Sequence, residues 1–426
     1  MTARSAITTV PPTVDSRPRV TVLSGFSAPA TTAVARSLLV TDPALLLVRH
    51  DLSRVRAGLV RRTVRTAGAI IEDETIQLAH GCASCTLRED VLPTLARLAR
   101  QHPGADIILA LPPAVEPEAV AAACAHPAPD GVALTDLVRF DSYATVVEAT
   151  GFLDELAGTD DLRHRGLHAA DNDHRSVADV MARQVEYADT IVVWGHPDRD
   201  GFDDARLHAL LHRLAPWAVH VRVGDTTTVD CGGLAARMRR TGRHDPHTPG
   251  VLGRTMQGYP IGVHDPVGDY GAVSVLFQAR RPFHPQRLHD ALEDLTGETL
   301  RGRGQLWIAS RPDVVIGWES AGGGINLGSL GFFLDALPSE RRHEADDMRR
   351  LAADLDWDPY YGDRRTALAF VGLGLDAEDI TTGLGGCLLT DAELADGFDA
   401  WKHLPDPFSG FFPLADDHPA TAEETA

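Results

Sequence analysis

The chain has 426 residues, 44% hydrophobic and 23% charged, with 60 acidic against 40 basic residues and a formal net charge of −20. That length allows two or three domains with full hydrophobic cores. The acidic balance argues against direct, sequence-specific binding of nucleic acid, which rests on arginine and lysine neutralising phosphates, and turns attention to proteins and cations as partners. No uninterrupted apolar run approaches the roughly 18 residues a membrane helix needs. Five cysteines form no evident disulfide framework and suit a reducing cytoplasm.

Residues 1–18, with Pro11, Pro12 and Pro18 but no apolar stretch of signal-peptide length, are expected to be a disordered leader. A β-rich run over 19–25 and a helical pattern over 31–39 give the strand, loop and helix of a phosphate-binding loop. Its sequence is Gly25-Phe26-Ser27-Ala28-Pro29-Ala30-Thr31-Thr32, to be set against Gly-x-x-x-x-Gly-Lys-Thr. Ala30 takes the place of the second glycine, Pro29 removes an amide donor, and Thr31 stands where a lysine would neutralise phosphate. Thr32 keeps the hydroxyl that would meet magnesium. Gly25, Thr31 and Thr32 are therefore the candidate nucleotide-binding residues of a degenerate loop, for GTP and Mg2+ if any nucleotide binds.

Residues 45–50 read as a second strand buried on both faces. Glu72, Asp73 and Glu74 form a charge run that is most simply a solvated face. The stretch His80-Gly81-Cys82-Ala83-Ser84-Cys85 follows. A Cys-x-x-Cys pair bends so that both sulfurs meet one point, Gly81 lets the chain turn, and His80 would bring a third ligand. A helix predicted over 86–98, with Leu87, Leu92, Leu95 and Leu98 on one face, places the pair at a helix entrance, where the dipole favours thiolate. Three readings of Cys82 and Cys85 stay open: a zinc site, a buried structural pair, or a redox pair. Cys124, Cys231 and Cys387 read as small core residues.

A strand over 106–111 ends in Pro112 and Pro113 with no carboxylate to organise magnesium. Residues 134–148 hold the next strand. In the polar loop 158–176, His164 and His168 are four apart and would share a helix face, a weak zinc or cobalt site. After a helix and strand over 184–193 comes Trp194-Gly195-His196-Pro197, with Asp198 one position late for a guanine-reading Asn-Lys-x-Asp. Residues 240–266 are rich in Gly, Pro and His and mark a linker. Strands over 273–278, 305–309, 314–319 and 366–372, with helices over 285–295 and 340–355, then give a β-α-β-β-α-β order, which is the ferredoxin-like arrangement.

Gly81-Cys82-Ala83-Ser84-Cys85-Thr86-Leu87-Arg88 resembles the Gly-Cys-x-Cys-Cys-Thr-Leu-Arg block of the CobW family of P-loop GTPase metallochaperones, with Ser84 replacing the middle cysteine. The blocks Arg280-Arg281-Pro282-Phe283-His284-Pro285, Leu306-Trp307 and Gly362-Asp363-Arg364-Arg365 are similar to the family's C-terminal domain. The resemblance implies an α/β, doubly wound P-loop-type G domain over 19–238, a linker over 239–268, a smaller α+β ferredoxin-like CobW C-terminal domain over 269–400 and an acidic tail over 401–426. With the degenerate loop and Ser320-Ala321-Gly322-Gly323-Gly324, the chain is most similar to the actinobacterial ribosome hibernation factor-recruiting GTPases. That subgroup implies a zinc-responsive adaptor with a degenerate GTPase domain, recruiting a hibernation factor to ribosomes when zinc is scarce. The wider family implies the alternative, a GTP-dependent zinc metallochaperone with Cys82, Cys85 and His80 as metal ligands.

Overall fold

The computed structural model describes residues 15–124, 131–171, 173–197, 201–297 and 299–410. Most of the expected leader, Asp198 and residues 411–426 of the expected tail lie outside the described residues. The first sheet contains β1 (Arg19–Ser24), β2 (Leu46–Asp51), β3 (Leu59–Arg65), β4 (Ile70–Gln77), β5 (Ile107–Ala110), β6 (Arg139–Glu148), β7 (Thr190–Trp194) and β8 (Val219–Val223). Their order is β4-β3-β2-β5-β1-β6-β7-β8. From β2 to β8 every pairing is parallel, whereas β3 and β4 form an antiparallel hairpin added to β2.

The two parts of this sheet differ because their residues do. β5 and β7 are buried at every position and apolar but for Thr190, as strands covered by helices on both faces must be. β3, Leu-Val-Arg-Arg-Thr-Val-Arg, alternates, with Val60, Arg62 and Val64 inward. β4 is exposed or half-buried throughout. On one face, helix α1 (Ala28–Leu39) and the helix Cys231–Met238 pack Val34, Leu38 and Met238 against Leu47, Ile108 and Val146. On the other, Leu87, Val91, Leu95 and Leu98 cover Val48, Val64 and Leu109.

The second sheet holds β9 (Asp265–Asp269), β10 (Ala272–Ala279), β11 (Arg301–Leu306), β12 (Val314–Ala321), β13 (Gly324–Phe332) and β14 (Thr366–Leu373), in the order β13-β12-β11-β14-β10-β9, antiparallel throughout. The expected β-α-β-β-α-β succession is present in β10, β11, β12 and β14 with their intervening helices. As in a ferredoxin-like sheet the first and last of these pair, but β11 rather than β12 is the inner neighbour, and β9 and β13 extend the edges. Trp307, Trp318, Phe283 and Phe370 fill its cores. Trp401 and Phe408, at the head of the expected tail, are buried, and Asp406 accepts from Arg311 Nε at 2.7 Å.

The two sheets meet through the helix Val177–Tyr187, whose first-sheet carboxylates receive second-sheet arginines. Arg301 donates to both oxygens of Glu186 at 2.8 Å, to Asp179 at 2.9 Å and to Glu319 at 2.7 Å. Arg303 donates to Glu186, to the Ile261 carbonyl at 2.6 Å and to the Leu214 carbonyl at 2.7 Å. Arg301, Arg303 and Glu186 are all fully buried. Burial alone would raise the Glu186 carboxyl; Arg301 and Arg303 hold it below the ordinary carboxylate range.

Candidate nucleotide and metal sites

β1 ends at Ser24 and α1 begins at Ala28, so only Gly25, Phe26 and Ser27 separate them. The helix thus starts three residues before the predicted position and occupies what a phosphate loop would leave open. Ser27 is its N-cap: its side chain accepts from the Ala30 N–H at 3.3 Å and its carbonyl from the Thr31 N–H at 3.0 Å. Pro29 in the first turn has no N–H to offer, and its fixed φ suits a helix start. A phosphate nest needs several N–H groups converging on one point; here Pro29 has none, and those of Ala30 and Thr31 are bonded to Ser27. Thr31 is buried and turns its hydroxyl back onto the Ser27 carbonyl at 2.8 Å. A Cβ on Gly25 would lie 2.6 Å from both Thr31 Oγ1 and the Val146 carbonyl, so this glycine serves close packing. Thr32, half-buried, faces a cavity of about 600 Å³.

The turn after β5 is clamped by neighbours. Gln184 Nε2 donates to the carbonyls of Pro113 at 2.7 Å and Val115 at 3.1 Å. Glu116, the first acid beyond the strand, is paired with Arg175 at 2.8 Å. At the end of β7, Trp194 is packed among Val192, Val221 and Leu234, so an apolar ring occupies the place of a base-reading amide.

Cys82 and Cys85 are joined as a disulfide, their Cα atoms 5.2 Å apart. Cys82 caps the helical turn Ala83–Thr86, its sulfur accepting the Cys85 N–H at 3.0 Å. A Cβ on Gly81 would stand 2.2 Å from the Val55 carbonyl, which explains the glycine ahead of the pair. The Ala79 N–H is held by Glu89 at 3.0 Å. Cys85 is buried, whereas His80 and Ser84 are exposed. Among the described residues no three His, Cys, Asp or Glu side chains converge on a metal position, so the expected third ligand is not gathered with the sulfurs.

Beyond Thr86 the predicted helix is interrupted. Residues Leu87–Val91 form a π-turn, with the Leu92 N–H reaching the Leu87 carbonyl, before the α-helix Leu92–Gln101. Pro93 accounts for it: without an N–H and with a ring that crowds the preceding turn, it breaks the regular ladder there. Val91 is buried and Leu92 only half-buried. Asp90 consequently faces inward, meeting His50 Nε2 at 2.8 Å and Arg62. Burial alone would raise its carboxyl, but the bonds to His50 and Arg62 hold it below the ordinary value. Glu72 and Glu74 belong to the same network, bonded to Arg62 at 3.2 and 2.6 Å, and Asp73 is bonded to Arg61. The acidic run lies, as expected, on an exposed to half-buried face, and its carboxylates are ion-paired there.

The histidine expectation is corrected as well. Residues 162–166 form turns, so His164 and His168 share no helix face; His168 Nε2 bonds Arg56 at 2.9 Å and His164 lies near Asp160 and Asp161. Cys124 and Cys387 are buried, Cys231 half-buried; burial pushes the Cys124 thiol up to about 12. Among the described residues no helix is long and apolar enough to cross a membrane.

Two family models match the chain: the CobW/HypB/UreG nucleotide-binding domain over residues 54–205 and the cobalamin synthesis protein cobW C-terminal domain over residues 272–388. The chain is 37% identical over 367 residues to the zinc chaperone Rv0106 of Mycobacterium tuberculosis, covering 84% of each chain. It is 27% identical over 412 residues to the zinc-regulated GTPase metalloprotein activator 1 of Dictyostelium discoideum, covering 91% of this chain and 83% of that one. Among solved structures, the Zn(II)-bound YjiA GTPase from E. coli aligns with 88% of this chain and 99% of its own, at 16% identity and a TM-score of 0.35.

Proposed function

This chain belongs to the CobW family, which joins a CobW/HypB/UreG nucleotide-binding domain to a CobW C-terminal domain, and on that premise we propose that it handles zinc through Cys82 and Cys85. The observation that carries this is the placing of both sulfurs within one turn at a helix entrance, held there by the Gly81 contact and the Cys85 amide. Opening the disulfide takes two electrons and two protons from a dithiol reductant; zinc then displaces the two thiol protons. His80, exposed beside the pair, is the third ligand in this reading. The names of the relatives, a zinc chaperone and a zinc-regulated GTPase, support zinc as the metal.

The same reading makes the nucleotide-binding domain a scaffold. The helix that begins at Ala28 and the inward turn of Thr31 support loss of GTP turnover. The zinc state would then select a protein partner, and the subgroup resemblance names a ribosome hibernation factor, delivered to ribosomes under zinc limitation. The surplus of 60 acidic over 40 basic residues suits a basic partner. Thr32 at the cavity wall favours the second reading, a GTP-dependent zinc metallochaperone.

Cobalt(II) titration of the reduced chain tests the metal reading: a thiolate charge-transfer band is expected, lost in Cys82→Ser and in oxidised protein. An unchanged band in Cys82→Ser ends it. GTP turnover comparable with that of intact relatives would end the scaffold reading. Co-purification of a hibernation factor from zinc-limited but not zinc-replete cells tests the partner.

A further inference from the structure

An amphipathic helix ordinarily turns its apolar stripe to the core; the helix Asp347–Leu355 does the reverse. Ala353 is its buried residue, and Ala352 comes so near Gly258 that a Cβ on that glycine would lie 3.0 Å from the alanine's own. Arg349, on the same side as Ala353, donates to the Phe332 carbonyl. Small side chains and one arginine therefore face the domain, while the large apolar ones face water: Met348 is 41% exposed, Leu351 51% and Leu355 80%. Among the described residues twelve large apolar side chains are exposed, and five of them, these three with Trp357 and Tyr360, fall within residues 348–360. Gathering on one element, as opposed to single scattered residues, is the mark of a contact surface.

The spacing says what kind of contact. Steps of three and then four residues put Met348, Leu351 and Leu355 within about 60° of one another around the helix axis. That is the a-d-a spacing of a coiled-coil seam, whose knobs enter the holes of another helix. On the same count Asp347 and Asp354 both fall at g, the position bordering the seam from which paired helices select one another by charge. Asp354 is exposed and, among the described residues, makes no ion pair; Asp347 meets Arg350, one position further from the seam. Residues 340–358 hold seven acids against four arginines, and two of those arginines, Arg342 and Arg349, turn onto the carbonyls of Leu337 and Phe332. The seam is apolar and its border is negative.

We propose that the helix Asp347–Leu355 is a docking site for an amphipathic helix of another protein, one with apolar a and d residues and lysine or arginine beside them. Charge disfavours the other occupants. A second copy lying antiparallel would set g against g, aspartate against aspartate, and a parallel one would set Asp347 and Asp354 against the uncharged Ala352 at e. Residues 411–426 carry Asp416, Asp417, Glu423 and Glu424 and no lysine or arginine, and an anionic lipid surface would be repelled in the same way. The site lies wholly in the second domain and rests on neither the zinc reading nor the GTP reading. Failure to co-purify a hibernation factor would leave it standing.

The test is fluorescence anisotropy of the full, reduced chain with a labelled synthetic helix about three heptads long, leucine at a and d and lysine at e and g. Saturable binding is expected, weakened about tenfold or more in Leu351→Ser and in Leu355→Ser. The double variant Asp347→Asn, Asp354→Asn should bind about threefold more weakly and lose part of the salt dependence. Val267→Ser, at an exposed apolar residue of β9, should bind like the parent, and thermal melts of the leucine variants should match it because the lost side chains are not in the core. Absence of saturable binding at about 100 μM peptide, far above the roughly micromolar affinity of a helix in its groove, overturns the proposal. So does binding that survives Leu351→Ser and Leu355→Ser together, or equal binding of a probe with glutamate at e and g. Sedimentation that finds a dimer abolished by Leu351→Ser would give the face to a second copy. Displacement of the probe by a peptide of residues 411–426 would give it to the chain's own end, and flotation with phosphatidylserine vesicles, lost in Leu351→Ser, to a membrane; each overturns it.

Discussion

Where the two sheets meet, Arg301 and Arg303 are fully buried and their guanidiniums are bonded to Glu186, Asp179, Glu319 and backbone carbonyls. Around the cavity, Arg36, Arg49 and Arg65 stand nearer water, and among the described residues no carboxylate pairs with them. The first arrangement is closed. Each positive group there meets a fixed negative one, and desolvation leaves no tolerance for a missing partner. The second is open: Asp51 offsets part of the like charge around Arg49, but among the described residues it makes no ion pair with it. The same side chain thus fixes the geometry between domains in one place and is left exposed or half-buried in the other.

Removing a partner should separate the two sharply. Glu186→Ala leaves two buried guanidiniums short of their shared carboxylate and is expected to cost about 3–5 kcal/mol, read as a lower urea midpoint at unchanged slope. A loss under 1 kcal/mol would mean that the junction is wetter than its burial indicates. Next in size is Glu118, in the helix Pro117–Cys124 near the same network. Burial, reinforced by Glu319, Glu186 and Glu116 against Arg183, pushes its carboxyl up from 4.5 to about 7. The folded chain therefore holds a proton there that the unfolded chain releases. This contribution to stability is complete below about pH 4.5 and is lost as pH rises through about 7. Glu118→Gln should flatten that part of the pH profile and stabilise the protein at pH 8 by about 1–3 kcal/mol. An identical profile in both proteins contradicts the burial argument.

Asp90→Asn, in the buried pairing with His50 and Arg62, is expected to cost about 1–3 kcal/mol, since one neutral bond replaces two charged ones. Smallest of all is Arg49→Leu, predicted to leave stability within about 0.5 kcal/mol of the parent because no native ion pair is lost. A destabilisation as large as that of Glu186→Ala would show that Arg49 belongs with the closed set, and the contrast would collapse.

Much of this was legible in the residues, for reasons that explain what was not. Apolar runs such as Ile107-Ile108-Leu109-Ala110 declare parallel strands, and the motifs around Arg280 and Trp307 mark the second domain. β4 escaped because Glu72, Asp73 and Glu74 interrupt its alternation, and β13 because Gly324, Gly328 and Gly331 dilute it; both lie at sheet edges, where burial exerts little selection on pattern. The early start of α1 was written in Ser27 and Pro29, a cap followed by a proline in the first turn, but counting positions against an intact loop hid it. The cavity arginines come from a helix and two strands, far apart in sequence, and only the β2–β3 register brings them together. The charge inside the junction was likewise unreadable, since Arg301 and Glu186 give no local sign that they will meet.

The π-turn ahead of Pro93 carries a consequence for the cysteine pair. A wider turn inserts one residue into the winding, and one residue of an α-helix is about 100° of rotation. Everything upstream of Leu87 is therefore phased differently from the part that grips the sheet. Replacing Pro93 with alanine would let the ladder close, and the two sulfurs would swing round the barrel of the helix toward a different neighbour while Leu95 and Leu98 stayed in place. A single imino acid seven residues beyond Thr86 thus sets the compass bearing of the thiols.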